Sequence, residues 1–265
     1  MSSQSLLDSV LNIAVEAGGK ILGIYDSDFA VQHKADDSPL TQADLAAHHH
    51  IVDALGQLSP ALPVLSEEAA DIPYAERRQW TRYWLVDPLD GTKEFVKRNG
   101  EFTVNIALIE NGKPTLGVVH APVLKHTYAA AQGLGAFQWQ QGQRSPMRTR
   151  AVPANPAFVV SKSHRDDTLE TFLSKAPPHD AISRGSSLKF CLVASGQADL
   201  YPRTGPTSEW DTAAGQCVVE QAGGNVLRTP ELTPLRYNEK DSLLNPTFLV
   251  IGDSAYNWPK KLGLT

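Results

Sequence analysis

The segment WLVDPLDGTKEF, Trp84 to Phe95, ends an apolar strand in Asp87 and Asp90, which flank Pro88 and Leu89 and precede Gly91 and Thr92. Pro88 fixes the backbone after Asp87. Both carboxylates and the Leu89 carbonyl can then converge on one point, an all-oxygen setting that suits a hard divalent cation. Gly91 and Thr92 offer backbone N–H groups, and Thr92 a hydroxyl, to an anion at the start of the next turn. Taken alone, D-x-x-D-G is more often a polar turn that closes a strand. Other acids change that reading. Glu67 and Glu68 stand at the end of a second apolar strand, PVLS, and Asp211 opens a helix after Trp210, which is placed to brace it. Carboxylates gathered within a few ångströms repel one another unless cations neutralise them, so their convergence argues for two or three Mg²⁺ ions. Such ions polarise a phosphoryl group and lower the pKa of bound water.

The elements that must position these acids follow from hydrophobic periodicity. Leu6, Val10, Leu11, Ile13, Ala14 and Ala17 repeat at helical spacing, and Gly18-Gly19 mark a close contact or an irregularity. A second helix starts near Thr41, with Asp44 three residues on as a capping partner, and continues through Leu45, Ile51, Val52 and Leu55. Asp44 therefore lies at a helix N-terminus. YWLVD, TVNIALIENGKPTLGVVHAPV and TYAAAQGLGAFQW read as an antiparallel sheet with a hairpin turn at Asn111-Gly112. After Pro153 the order alternates: AFVVS a strand, Asp167 to Ser174 a helix, SLKFCLVASG a helix, ADLYP a strand, DTAAGQCVVEQAG a helix and FLVIG a strand. The segment Gln138 to Pro156 is the candidate boundary between an N-terminal α+β half, residues 1–150, and a C-terminal α/β half, residues 151–265. The first half carries the main metal motifs. The second carries Asp211 and the substrate contacts, and both belong to one compact unit.

The chain has 265 residues, 42% apolar and 20% charged, the balance of a globular protein that folds unaided. Its net charge of -5 disfavours a nucleic-acid backbone as the main partner. Cys191 and Cys217 are far apart, without the spacing of a zinc site or a disulfide framework. A reducing cytoplasm fits best, and peripheral contact with the cytoplasmic face of the inner membrane is compatible with it. No segment reads as a signal peptide or a membrane span.

Three ordered motifs make the chain resemble the inositol monophosphatase family: DPLDGTKEF at Asp87 to Phe95, EWDTAAGQCVVEQAGG at Glu209 to Gly224, and SEE at Ser66 to Glu68. The resemblance implies a mixed α/β, layered αβαβα sandwich of the inositol monophosphatase and fructose-1,6-bisphosphatase type. It implies Glu67, Asp87, Asp90 and Asp211 as side-chain ligands of Mg²⁺, Leu89 as a main-chain ligand, and Glu68 just behind them. It also implies that Asp44 and Thr92, with Glu67, serve the attacking water, that Gly91 and Thr92 bind the scissile phosphate, and that lithium inhibits.

Within that family the chain most resembles the 3′(2′),5′-bisphosphate nucleotidases, which remove the 3′-phosphate of adenosine 3′,5′-bisphosphate and serve sulfur metabolism. In SRGSSLKFCLVASGQADLYPR, Gly185 and Ser186 precede a helix start, and Lys189 and Arg203 bracket the approach to Asp211. Those two cations suit a second, non-reacting phosphate; without the resemblance they read as a solvated helix lysine and a surface strand residue. Glu209 is a further substrate-contact candidate, and the Lys93-Glu94 pair matches the nucleotidase form of the motif. Ser161 to His164, SKSH, is either a nucleotide contact or a plain loop. A 3′-phosphoadenylyl sulfate substrate is also compatible, and inositol or sugar monophosphatase activity is the rival reading. A catalytically silent nucleotide- or metal-binding protein is the reading from another class.

Other features are bland. His48, His49 and His50 point about 100° apart on a helix and cannot share a metal. Gly133-x-Gly135 precedes a β-like run and is a turn rather than a dinucleotide fingerprint.

Overall fold

A computed structural model describes residues 2–27, 30–33, 39–162 and 167–264. The chain opens with α1 (Ser3–Tyr25), then β1 (Val31–His33) paired antiparallel with β2 (Pro39–Thr41), then α2 (Gln42–Gly56). The expected capping box starts α2: the Thr41 side chain caps the helix, and Asp44 at N3 returns its carboxylate to the Thr41 backbone. That box buries Asp44 at the helix start.

Next come β3 (Val64–Ser66), a 3-10 turn at Glu67–Ala69, α3 (Tyr74–Arg77), β4 (Arg82–Asp90) and α4 (Thr92–Val96). Four further strands, β5 (Thr103–Glu110), β6 (Lys113–Ala121), β7 (His126–Ala131) and β8 (Gly135–Gln140), lead to β9 (Gln143–Met147). They form one sheet in the order β3-β4-β5-β6-β7-β8-β9, antiparallel except for the parallel β3–β4 pair. Asn111 and Gly112 both take positive φ, 50° and 72°, as the two-residue turn between β5 and β6 requires. The candidate boundary Gln138 to Pro156 contains the last strand of this sheet. A second turn at Gln141-Gly142 folds β9 back onto β8 inside that segment.

The rest of the chain runs β10 (Ala157–Ser161), α5 (Asp167–Lys175), β11 (Asp180–Arg184), α6 (Leu188–Ala194), β12 (Leu200–Arg203), a 3-10 turn at Glu209–Asp211, α7 (Ala213–Gln221), β13 (Asn225–Arg228), β14 (Thr233–Pro234), β15 (Phe248–Ile251) and α8 (Trp258–Lys261). Its sheet has the order β11-β10-β12-β15-β13-β14 and is mixed.

Alternation along the strands dictates the layering. In β4, Trp84 and Val86 join α1 and α2 on one face, whereas Tyr83 and Leu85 join α6 and α7 on the other. The opposite side of α6 and α7 rests on Val159, Tyr201, Phe248 and Val250 of the second sheet. Phe158, Leu200, Leu249 and Ile251 pack outward against Trp258 and Phe172. The result is the αβαβα sandwich, with α6 and α7 shared between two sheets.

Two glycines set how closely the layers approach. A Cβ on Gly117 of β6 would lie 2.5 Å from the Ala214 carbonyl of α7, and one on Gly18 of α1 would lie 2.6 Å from His120 Cδ2. Gly18 is thus the close contact anticipated in the first helix, which runs through it unbroken.

Candidate active site

The sequence suggested that β4 stops at Asp87 in a forced turn. Instead the ladder to β5 continues to Asp90, with a register shift between Asp87 and Asp90. Pro88 is tolerated there because β3 pairs β4 only as far as Val86, so no partner needs the missing N–H on that side. The bulge re-aims both acids. Asp87 Oδ1 accepts the Leu89 N–H at 3.0 Å, and Gly91 makes the turn with φ 90° before α4 begins at Thr92.

Asp87, Asp90 and Asp211 present carboxylate oxygens that all lie within 4.8 Å of one another. Glu67, at the start of its 3-10 turn, lines the same pocket as these three. Asp211 is held by the second 3-10 turn, where its Oδ2 accepts the Ser208 N–H at 2.8 Å. It therefore stands in that turn, just before α7, rather than opening the helix itself.

Asp90 is oriented by residues that the motifs did not reveal. Its Oδ2 faces the Ser187 N–H at 2.6 Å, the Ser186 hydroxyl at 2.6 Å, the Ser187 hydroxyl at 2.8 Å and the Asn105 amide at 3.3 Å. None of these four donors occupies Oδ1. The Ser187 hydroxyl also reaches the Asp211 carbonyl at 2.7 Å, linking two of the three clustered acids.

Burial, and then the neighbouring carboxylates of Glu67, Asp90 and Asp211, raise the Asp87 carboxyl well above its ordinary value. Asp211 is raised by the same causes, burial first and Asp90 next. A bare cluster of this kind resists full ionisation. An all-oxygen set of four carboxylates, with the Leu89 carbonyl on the same wall, fits hard divalent cations, which would restore its charge.

Asp44 of α2 does not itself line this pocket but stands behind Thr92, which does. Its Oδ2 accepts the Thr41 N–H at 2.8 Å and the Thr41 hydroxyl at 2.6 Å, leaving Oδ1 to the Thr92 hydroxyl at 3.2 Å. Thr92 Oγ1 also lies 3.3 Å from the Leu89 carbonyl. Glu68 sits close enough to raise the Asp44 carboxyl further, after burial, but it does not line the pocket.

Lys189 and Arg203 line the same pocket as the acids, and both are buried, contrary to a solvated helix lysine and a surface strand residue. Lys189 Nζ donates to the Ser186 carbonyl at 2.6 Å and stands 5.4 Å from the centre of the Tyr201 ring. Burial lowers it to about 8, against the pull of Asp90. Arg203 donates through Nε to the Gly205 carbonyl at 3.1 Å and through Nη2 to the Pro206 carbonyl at 2.6 Å. The guanidinium also bonds the Tyr201 side chain, so Arg203 is held against the wall of the pocket.

Of three further substrate-contact candidates, Gly185 and Ser186 line the pocket and Glu209 does not. Glu209 does not line this pocket: its buried carboxylate accepts the Asn238 N–H at 3.0 and 2.9 Å on the far side of the 3-10 turn. These bonds tie Asn238 to the turn that carries Asp211. Gly185 lines the pocket, but its N–H is committed to Glu101 at 2.9 Å, and a Cβ there would lie 2.8 Å from Glu94 Cγ. The Ser186 hydroxyl is shared between Asp90 and Thr103 Oγ1, each at 2.6 Å. Of SKSH, Ser161 lines the pocket, whereas Ser163 and His164 lie outside the described residues. The three histidines of α2 diverge as expected. His48 meets Ser66 at 2.9 Å and His50 meets Glu16 at 3.1 Å.

The sequence profile of the inositol monophosphatase family matches residues 3–251, nearly the whole length that builds the sandwich. The chain is a member of the inositol monophosphatase family. Among similar members, the 3′(2′),5′-bisphosphate nucleotidase CysQ of Salmonella typhimurium is 54% identical over 248 residues, covering 92% of this chain and 99% of that protein. The protein of the same description from Escherichia coli K12 is 53% identical with the same coverage. The crystal structure of CysQ from Bacteroides thetaiotaomicron, a bacterial inositol monophosphatase family member, superposes with a TM-score of 0.85 at 43% identity, covering 94% of this chain and 98% of that one. An IMPase from Thermotoga maritima shares the fold, with a TM-score of 0.81 at 24% identity and coverage of 98% and 96%. Metal dependence belongs to the family, and this chain has an acidic cluster of Asp87, Asp90 and Asp211.

Proposed function

We propose that this chain hydrolyses the 3′-phosphate of adenosine 3′,5′-bisphosphate to AMP and phosphate, using two or three Mg²⁺ ions held by Glu67, Asp87, Asp90, Asp211 and the Leu89 carbonyl. The observation that carries the reading is a single pocket lined by the acid cluster and by two buried cations, Lys189 and Arg203. Relatives described as bisphosphate nucleotidases, more than half identical over 92% of the chain, support the same substrate. When bound, the ions polarise the phosphoryl group and lower the pKa of the attacking water.

The chain's own residues supply the geometry. Thr92 donates its proton to Asp44 Oδ1, which turns its oxygen lone pairs outward to accept a hydrogen bond from the water. The Gly91 turn and the N-terminus of α4 present backbone N–H groups to the 3′-phosphate. Lys189 and Arg203, two cations on the wall of the same pocket, receive the 5′-phosphate, a contact that an inositol monophosphate lacks. Water adds to phosphorus, the bond from phosphorus to the 3′-oxygen breaks, and that oxygen takes a proton to give the 3′-hydroxyl. A cytoplasmic location is part of the reading, supported by two buried free cysteines.

The test compares adenosine 3′,5′-bisphosphate with adenosine 3′-monophosphate in the wild type and in Lys189→Met and Arg203→Met. The wild type prefers the bisphosphate, and each variant raises its KM about tenfold or more while leaving the monophosphate KM nearly unchanged. Equal effects on both substrates would remove the second-phosphate role.

A further inference from the structure

Glu101 lies in the turn before β5, outside every motif that defines the acid cluster. Its N–H is capped by the Asn99 side chain at 2.9 Å. The side chain is only 11% exposed, and its carboxylate reaches across to the ends of two strands of the other sheet. Oε1 meets Arg184 Nη1 at 3.0 Å and Lys162 Nζ at 3.4 Å, while Oε2 accepts the Gly185 N–H at 2.9 Å. Lys162 closes β10 by donating its own N–H to the Arg184 carbonyl at 3.2 Å. One carboxylate thus fastens the ends of β10 and β11 to the sheet that carries Asp87 and Asp90.

The next two residues after Gly185 explain what this fastening secures. Ser186 is held at φ 54°, a left-handed conformation that a serine does not prefer. That conformation is sustained from both sides. Before it stands the Gly185–Glu101 bond, and after it Ser186 and Ser187 direct two hydroxyls and an N–H onto Asp90 Oδ2. If the Glu101 end is released, the turn can relax toward ordinary backbone and the Asp90 carboxylate loses the donors that set its rotation.

We infer that Glu101 is a positioning residue: it clamps the Arg184–Ser187 turn so that Asp90 Oδ2 stays saturated with donors and Oδ1 is presented to a divalent cation. The inference rests on the metal-cage reading of Asp90. Groups that orient a ligand in this way typically carry about 10- to 100-fold in metal affinity.

The experiment is isothermal titration of Mg²⁺ into the full chain, beside the Mg²⁺ dependence of phosphate release, for wild type, Glu101→Ala, Glu101→Gln and Ser187→Ala. Glu101→Ala weakens Mg²⁺ binding about 10- to 100-fold, with kcat restored to within about threefold of wild type at saturating Mg²⁺. Glu101→Gln keeps an oxygen for Gly185 N–H and weakens binding by about two- to fivefold. It carries the test if the alanine variant does not fold. Glu101→Ala combined with Ser187→Ala costs no more than the worse single variant, because both act through one oxygen of Asp90. Glu110→Gln, which alters the acid paired with Arg82 at the other end of β5, leaves Mg²⁺ affinity unchanged. Wild-type affinity in both Glu101 variants, or additive losses in the double variant, would overturn the inference. Calorimetry needs no turnover, so failure of the wild type to release phosphate would sink the nucleotidase reading without touching this comparison.

Discussion

Thr92 Oγ1 stands 3.2 Å from Asp44 Oδ1, joining the first turn of α4 to the first turn of α2 across 48 residues of sequence. The other oxygen of Asp44 is filled by Thr41, so the carboxylate has one free direction and Thr92 takes it. Asp44 Oδ1 and the Leu89 carbonyl, at 3.3 Å, are both acceptors within reach of the Thr92 proton, and only Asp44 carries a charge that favours it. Asp44→Asn, which can offer an amide N–H in place of the acceptor, lowers kcat by about 100-fold or more with a modest change in KM. Thr92→Ala falls similarly, whereas Thr92→Ser retains most of the rate. Steady-state kinetics at saturating Mg²⁺ check this, and a KM effect without a kcat effect would contradict it.

Asp87 illustrates the stability cost of a functional cluster. Burial and then neighbouring carboxylates raise its pKa, and its bond from Leu89 N–H can be kept by an amide oxygen. In EDTA, Asp87→Asn is expected to be more stable than wild type by about 1–2 kcal/mol, a rise in Tm of roughly 2–8 °C. In Mg²⁺ the order reverses, because only the wild type gains the binding energy of the cage. Thermal unfolding with and without the ion reads both.

The close approach of α7 to the first sheet is sterically exacting. A Cβ at Gly117 would strike the Ala214 carbonyl at 2.5 Å, and α7 follows the turn that carries Asp211. Gly117→Ala is expected to cost about 1–3 kcal/mol in urea unfolding and to raise the Mg²⁺ requirement by displacing Asp211. Gly19→Ala, where a Cβ meets nothing within 4 Å, is a control that leaves both unchanged or gains slightly.

His120 gives a pH dependence that is independent of the site. Buried between α1 and the sheet, with Nδ1 2.8 Å from Thr127 Oγ1, it is lowered by burial to about 4. The unfolded chain takes up a proton near pH 6.5, while the folded chain keeps the ring neutral until about pH 4. Stability is therefore fully present above 6.5 and declines as pH falls through that window, by about 3 kcal/mol in all. In His120→Gln this part of the slope disappears. Urea midpoints between pH 7 and pH 4 for the two proteins measure the difference.

Much of this was legible in the sequence where the signal was local. Thr41 and Asp44 announced a helix start, Asn111-Gly112 a hairpin, and the three acidic motifs a common destination. The residues that hold the acids in place were not legible. Ser187 lies 97 positions from Asp90 and Glu101 lies 84 from Gly185, and nothing local in either segment reports a partner that distant. Pro88 misled in the other direction. A proline usually ends a strand, but here β3 has already stopped pairing, so β4 carries it in a bulge. Glu209 adjoins Asp211 in sequence but does not line the same pocket, because a 3-10 turn sends neighbouring side chains to different sides of the backbone.

The most direct test of the central claim is phosphate release from adenosine 3′,5′-bisphosphate beside inositol 1-phosphate and fructose 1,6-bisphosphate, each with Mg²⁺, with EDTA and with added lithium. The account predicts a strong kcat/KM preference for the nucleotide, abolished by EDTA, restored by Mg²⁺ and lowered by lithium. Equal or faster release from inositol 1-phosphate, or nucleotide hydrolysis that persists in EDTA, would contradict it.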